Sequence, residues 1–124
     1  MRVITGTARG RVLRTLEGED VRPTTDRVKE AVFSIIQFEI EGRRVLDLFA
    51  GSGQLGIEAL SRGAASATFV DMSKDSLSAV KYNLEHTKLG DNAKVVQTDA
   101  LSFLKLTKDK FDIVFLDRHM RAHS

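Results

Sequence analysis

The apolar positions of the chain fall into two regimes that meet near Gly42. Ahead of it, Arg2-Val3-Ile4 and Arg11-Val12-Leu13-Arg14 flank Gly6 and Gly10, which predicts a short β-hairpin or meander. A loop with Pro23, the chain's only proline, follows. A residue before proline is driven out of the helical region, so Arg22 is expected to be extended. Thr24, Thr25 and Asp26 carry helix-capping chemistry. Val28, Ala31, Val32, Ile35 and Ile36 then recur at helical spacing and predict an amphipathic helix ending near Gly42.

From Arg44 onward, short apolar runs alternate with helical stripes. Val45-Leu46-Asp47-Leu48-Phe49, Ala67-Thr68-Phe69-Val70-Asp71, residues 94–99 and residues 111–117 read as four strands. Between them lie a helix carrying Leu55, Ile57, Ala59 and Leu60, one from about Lys74 to Thr87 carrying Leu77, Val80 and Leu84, and a short one with Leu101, Phe103 and Leu104. Strands that are apolar throughout suit a parallel sheet buried on both faces. Single helices between them imply right-handed crossovers and a doubly wound, Rossmann-like α/β sheet.

Gly51-Ser52-Gly53-Gln54-Leu55-Gly56 fits G-x-G-x-x-G where that pattern has physical meaning, after a strand and opening a helix. Glycine permits a sharp turn and close approach of backbone N–H groups to a ligand. Asp71 lies twenty positions beyond Gly51, where a carboxylate can accept both ribose hydroxyls of an adenosine. Asp47, four residues before Gly51 and read as inside the turn of the first strand, discriminates between adenosine cofactors. It would repel a dinucleotide's pyrophosphate but attract the ammonium and sulfonium of S-adenosylmethionine. Its structural alternative is an acid that caps the following loop. With Asp99 and Asp117, four successive strands finish in a carboxylate along the rim where open α/β sheets bind ligands, Asp99 being the one that also suits a helix N-cap.

Composition narrows the picture further. The chain has 124 residues, 42% of them apolar and 29% charged, which suits one globular domain and excludes disorder, collagen and coiled coil. There is no cysteine, and His86, His119 and His123 are scattered, so no metal site is expected. No signal peptide and no membrane-spanning run are read, and a cytoplasmic protein is expected. Net charge is only +2, yet Arg2, Arg9, Arg11 and Arg14 precede the first acid, Glu17. A basic arm on a nearly neutral body suits either a polyanionic partner or an ordinary solvated hairpin.

Val45 to Gly53 resembles motif I of class I S-adenosylmethionine-dependent methyltransferases. Together with Arg22-Pro23-Thr24-Thr25-Asp26-Arg27-Val28-Lys29-Glu30-Ala31-Val32-Phe33 and the basic opening, it is similar to the bacterial 16S rRNA guanine-N2 methyltransferase (RsmD-like) family over residues 1 to 117. The resemblance implies methyl transfer from S-adenosylmethionine to a guanine exocyclic amine of 16S rRNA, in the free rRNA or the small ribosomal subunit. It implies that Asp47, Gly51, Ser52 and Gly53 line the methionine end, within a loop that includes Phe49 and Ala50. Asp71 would hold the ribose, Met72 the adenine face, and Asp99 and Ala100 the adenine edge. Thr24 would lie in a segment folding over the cofactor, Arg2, Arg9 and Arg11 would touch RNA phosphates, and Asp117 would orient the amine and help accept its proton.

The family's Asp-Pro-Pro-Tyr is replaced here by Asp117 and then Arg118 to Ser124. Four segments are therefore expected: a basic arm (1–21), a capping helix region (22–42), a cofactor-binding half-sheet (43–117) and a non-native tail (118–124). Were Pro-Pro-Tyr encoded CCG-CCA-TAT with a following G, loss of one C would yield Arg-His-Met, so a frameshift or an expression boundary is the expected origin of that tail. A sheet truncated after its fourth strand leaves an open edge, which suggests a homodimer, and weak cofactor binding with little or no turnover is expected of this chain. Two alternatives stay open: an NAD-dependent oxidoreductase domain, and a non-catalytic RNA-binding fragment.

Overall fold

The computed structural model describes residues 1–15 and 26–116. Helix α1 (Asp26–Ile36) is followed by strand β1 (Arg44–Leu48), helix α2 (Gln54–Ser61), strand β2 (Ser66–Asp71), helix α3 (Lys74–Thr87), strand β3 (Ala93–Gln97), helix α4 (Ala100–Leu106) and strand β4 (Ile113–Phe115). The four strands form one parallel sheet in the order β3-β2-β1-β4. The chain first steps outward from β1 to β3, then crosses back to β4 on the far side of β1. Right-handed crossovers running in opposite directions land on opposite faces, which puts α2 and α3 on one face and α4 on the other. The reversal between β1 and β4 is the topological switch point beside which open α/β sheets bind ligands.

Alternation along the strands divides the core in two. Val45, Ala67, Phe69 and Phe115 pack with Leu55, Ile57, Leu77 and Val80 of α2 and α3. Leu46, Leu48 and Val70 face the other way, onto Phe103 of α4, with Phe111 beside it. Ahead of the helices, the first residues form a minimal hairpin with one antiparallel bridge, Arg2 to Val12. Val3 N donates to Arg11 O at 2.9 Å and Leu13 N to Met1 O at 2.7 Å. No helix of the described residues is long and apolar enough to cross a membrane.

Several expectations are corrected. Helix α1 stops at Ile36, and turns rather than helix lead to Gly42. Only part of the expected stripe faces inward: Val32 and Ile36 pack against the core, whereas Val28 is 49% and Ile35 79% exposed and Ala31 is exposed too. Phe33 sets the phase instead, fully buried with its ring 5.5 Å from that of Phe115 and the Arg62 guanidinium 4.7 Å above it. Burial on both faces holds for β1 and β2 but not for β3 or β4, whose outer neighbours are absent among the described residues. Strand β3 spans Ala93–Gln97 rather than 94–99, since Asp99 is taken up as the N-cap of α4. Strand β4 covers only Ile113–Phe115, because Asp112 turns its carboxylate onto Arg44 and Phe111 packs on Phe103. On α4 only Phe103 is buried, while Leu101 and Leu104 are 63% and 52% exposed.

Every residue of α2 is buried, so its polar side chains must be satisfied from within the protein. Glu58 accepts from Ile4 N (2.9 Å) and Thr5 N (3.0 Å) of the hairpin, from Arg62 Nε (2.8 Å) and from the buried Lys29 Nζ of α1 (3.1 Å). Ser61 Oγ accepts from Ala8 N at 2.9 Å and donates to Thr5 O at 2.7 Å. The chain approaches α2 so closely that a Cβ on Gly6 would lie 1.8 Å from Ser61 O. Replacing Glu58 with Ala leaves the buried Lys29 ammonium, which also donates to Arg2 O at 3.1 Å, without the Glu58 counter-charge and removes the acceptor of two backbone donors. The expected loss is about 3–5 kcal/mol of stability, read as a lower urea midpoint, whereas Arg62→Ala costs far less.

Candidate cofactor crevice

The crevice is built where β1 hands over to α2. Phe49 adopts φ 64° and Gly51 φ 59°, so the chain leaves the strand through two left-handed residues. A bulky residue in that region is a genuine outlier, of the kind that persists at functional sites when its surroundings over-determine it. Gly53 N donates to Ala50 O at 2.8 Å and closes the turn. A Cβ on Gly51 would meet nothing within 4 Å, so the loop leaves open space for a ligand. A Cβ on Gly56, in contrast, would lie 2.4 Å from the Phe69 ring and 3.2 Å from Asp47 Oδ2. The first glycine serves the turn and the last lets α2 lie close on β2.

Two strand carboxylates fix this loop. Asp47 lies within β1 rather than in the turn, 2% exposed, and its Oδ2 accepts from Gly56 N at 3.0 Å. Alternation places it with Val45 on the α2 side of the sheet, and it anchors the first turn of that helix. Asp71 ends β2, half-buried at the rim. Its Oδ2 accepts from Gly51 N (2.9 Å) and its Oδ1 from Ser73 N (2.8 Å), so one carboxylate joins the loop after β1 to the loop after β2. A carboxylate has about four lone-pair sites, and two hydrogen bonds leave capacity for ribose hydroxyls.

The neighbouring residues fall into place around this pair. Met72 is 69% exposed beside Asp71. Asp99 caps α4, its Oδ1 accepting from Ser102 N and its Oδ2 from Ser102 Oγ, both at 2.8 Å. The Ser102 N–H, then its hydroxyl, hold the Asp99 carboxyl below the usual carboxylate range, so it remains an ionised acceptor beside Ala100. Ser52 is buried and its carbonyl accepts from Asn83 Nδ2 at 3.0 Å. Arg2, Arg9 and Arg11 are exposed on the hairpin, away from this rim, with Arg2 Nη1 donating to Gly10 O at 2.9 Å. Thr24, Asp117 and the 118–124 tail lie outside the described residues. Among the described residues no cluster of His, Cys, Asp or Glu could hold a metal ion.

Sequence reasoning missed Gln54 and Asn83. Gln54 is 5% exposed at the start of α2; its Nε2 donates to Ser52 Oγ at 3.3 Å, and its Oε1 has no hydrogen-bond partner. An orphaned buried acceptor beside an open glycine turn and a rim carboxylate with spare acceptor sites together fit a ligand carrying hydroxyl and ammonium donors. A separate cleft lies at the opposite, amino-terminal ends of the strands, lined by Arg44, Thr68, Asn92, Lys94 and Asp109 among others. It is remote from every residue above.

The pattern of the Conserved hypothetical protein 95 family matches residues 1–118. The chain is 44% identical over 120 residues to Ribosomal RNA small subunit methyltransferase D of Haemophilus influenzae, an alignment covering 94% of this chain and 62% of that protein. It is also 44% identical over 121 residues to the Escherichia coli protein of the same name, covering 98% and 61%. The solved structure of yhhF from Escherichia coli superposes with a TM-score of 0.86 at 45% identity, covering 98% of this chain and 65% of that one. The chain thus spans about three fifths of the length of these curated relatives.

Replacing Gly56 with Ala tests the packing that holds the crevice. Alanine's better helix propensity is worth about 1 kcal/mol, but pressing a methyl into the Phe69 ring costs about 1–3 kcal/mol or more. A lower urea midpoint is expected; an unchanged one would mean that α2 can lift from β2.

Proposed function

The chain belongs to the Conserved hypothetical protein 95 family, with the class I methyltransferase fold, and on that basis we propose that it carries the S-adenosylmethionine site of a small-subunit rRNA methyltransferase, binding the cofactor weakly and turning over little or not at all without the family's Asp-Pro-Pro-Tyr. The observation that carries this reading is the Asp71 carboxylate, pinned by two loop N–H groups at a rim that opens above Gly51. The names of the relatives favour methyl transfer over the oxidoreductase alternative.

When bound, S-adenosylmethionine supplies an electrophilic methyl group on a sulfonium. Asp71 accepts the ribose hydroxyls, Met72 covers the adenine, and Asp99 and Ala100 border its amino edge. Phe49, Ala50, Gly51, Ser52 and Gly53 shape the methionine end, and Asp47 acts on it electrostatically while holding Gly56. The finer assignment, a guanine N2 amine of 16S rRNA, rests on the sequence resemblance. It gives Thr24 to the covering segment and Asp117 the task of orienting the amine. Arg2, Arg9 and Arg11 contribute phosphate contacts, which give affinity without sequence choice. Positioning does most of the chemical work, since an amine aligned with a reactive methyl gains chiefly from proximity. A cytoplasmic location fits a reaction on bacterial ribosomal RNA.

Titration of the chain with S-adenosylmethionine and with NAD, followed by calorimetry, tests the cofactor. Binding of the first and not the second is expected, and Asp71→Ala should weaken it roughly tenfold or more, as hydrogen bonds to a charged group imply. NAD binding in its place would overturn the reading.

We also propose a homodimer through the outer edge of β4, where Val114 and Leu116 are 46% and 63% exposed. Sedimentation equilibrium should give a dimer that Val114→Lys dissociates; a monomer at high concentration would overturn it.

A further inference from the structure

The outer side of α3 carries a stack of three planar groups. The Arg14 guanidinium lies 3.8 Å over the Tyr82 ring, and the His86 ring lies one helical turn on, 5.8 Å from Tyr82 and within 12° of parallel. Tyr82 still leaves 42% of its surface exposed, and Arg14 is exposed as well. The stack is held from below. Asn83, fully buried, accepts from Arg14 N at 2.7 Å and donates to Arg14 O at 2.9 Å, so the backbone beneath the guanidinium is fixed to α3. Lys74 and Lys81 are exposed, seven residues apart on α3, and therefore share one face, with Lys81 next to Tyr82 in sequence; Lys88, the left-handed residue that ends the helix, is exposed as well. Asp75 and Glu85 are exposed on the same helix, so the surface is basic but not uniformly so.

We propose that this Arg14–Tyr82–His86 stack is a platform for an unpaired base of single-stranded RNA, with Lys81 and its neighbours on the flanking phosphates. The proposal rests on the RNA-modifying reading above and adds a contact surface to it. Sequence-tolerant recognition of single strands combines a basic track with aromatic or guanidinium planes on which bases stack. The exposed guanidinium lets a base extend the stack. Arg9 and Arg11, in the hairpin that leads into Arg14, are exposed as well.

Tyr82 is the chain's only tyrosine, and there is no tryptophan, so intrinsic tyrosine emission reports on this one ring. The test titrates the full chain, without cofactor, with an unstructured RNA oligonucleotide, reading fluorescence anisotropy of labelled RNA and tyrosine emission in parallel across a salt series. Quenching that saturates with the anisotropy is expected. Tyr82→Ala should weaken binding roughly fivefold to a hundredfold with an unchanged salt slope, and Tyr82→Phe should bind as the parent does. Arg11→Ala should instead reduce the salt slope. If RNA binds without quenching and Tyr82→Ala binds normally while Arg11→Ala does not, the platform is refuted and the RNA reading survives. If the parent chain binds no RNA, both fall. Unchanged thermal melting of Tyr82→Ala separates lost stacking from lost folding.

Discussion

A helix buried on every side can keep polar groups only if the surrounding protein satisfies them, and α2 imposes that condition on the rest of the molecule. Its Glu58 and Ser61 are met by main-chain groups of the hairpin, which is why so short an arm, with a single bridge of its own, holds a defined position. Its Gly56 N–H is met by Asp47, which ties the helix to β1. The Lys29–Glu58 pair then locks α1 to the same helix. Burying such charges is costly unless each is multiply hydrogen-bonded, and Glu58 has four donors around its two oxygens.

The same economy of groups shapes the crevice. Asp71 spends one lone pair on each flanking loop and sits half-exposed, so the group we assign to the ribose also sets the distance between the two loops. A ligand that engages it meets a carboxylate already oriented, which lowers the ordering cost of binding. Asp99 is likewise fixed before any ligand arrives, by the backbone and hydroxyl of Ser102.

Legibility followed locality. The segment from β1 to α3 was readable because its glycine pattern, apolar runs and helix stripes are each contained within one element. Helix α1 buries Lys29 as well as Phe33, which its apolar spacing does not show, because the partner that permits burial of a residue type rarely buried unless paired lies twenty-nine positions away in Glu58. Glu58 itself stands among the apolar residues Leu55, Ile57, Ala59 and Leu60 of α2, and Asn83 on the Leu77, Val80 and Leu84 stripe. A polar residue on a core stripe is the signal that could have exposed both. Strand β4 was drawn too long since apolar sequence does not reveal where Asp112 turns back to Arg44. The helix cap made by Asp99 was legible in the sequence, but the bonds that Asp71 and Asp47 accept from Gly51 and Gly56 were not, because they depend on loop geometry that spacing does not encode.

Asn83 gives these pieces a mechanical connection. Its amide grips both backbone groups of Arg14 on one side and the Ser52 carbonyl of the glycine loop on the other. The end of the arm and the cofactor loop are therefore referred to a single buried side chain on α3. A transfer reaction that relies on alignment requires its two substrates to be fixed relative to one another, since displacements of an ångström carry large rate penalties. An arm that touched RNA while moving independently of the glycine loop would supply affinity without alignment. On the function we propose, one that shares Asn83 with that loop would supply both.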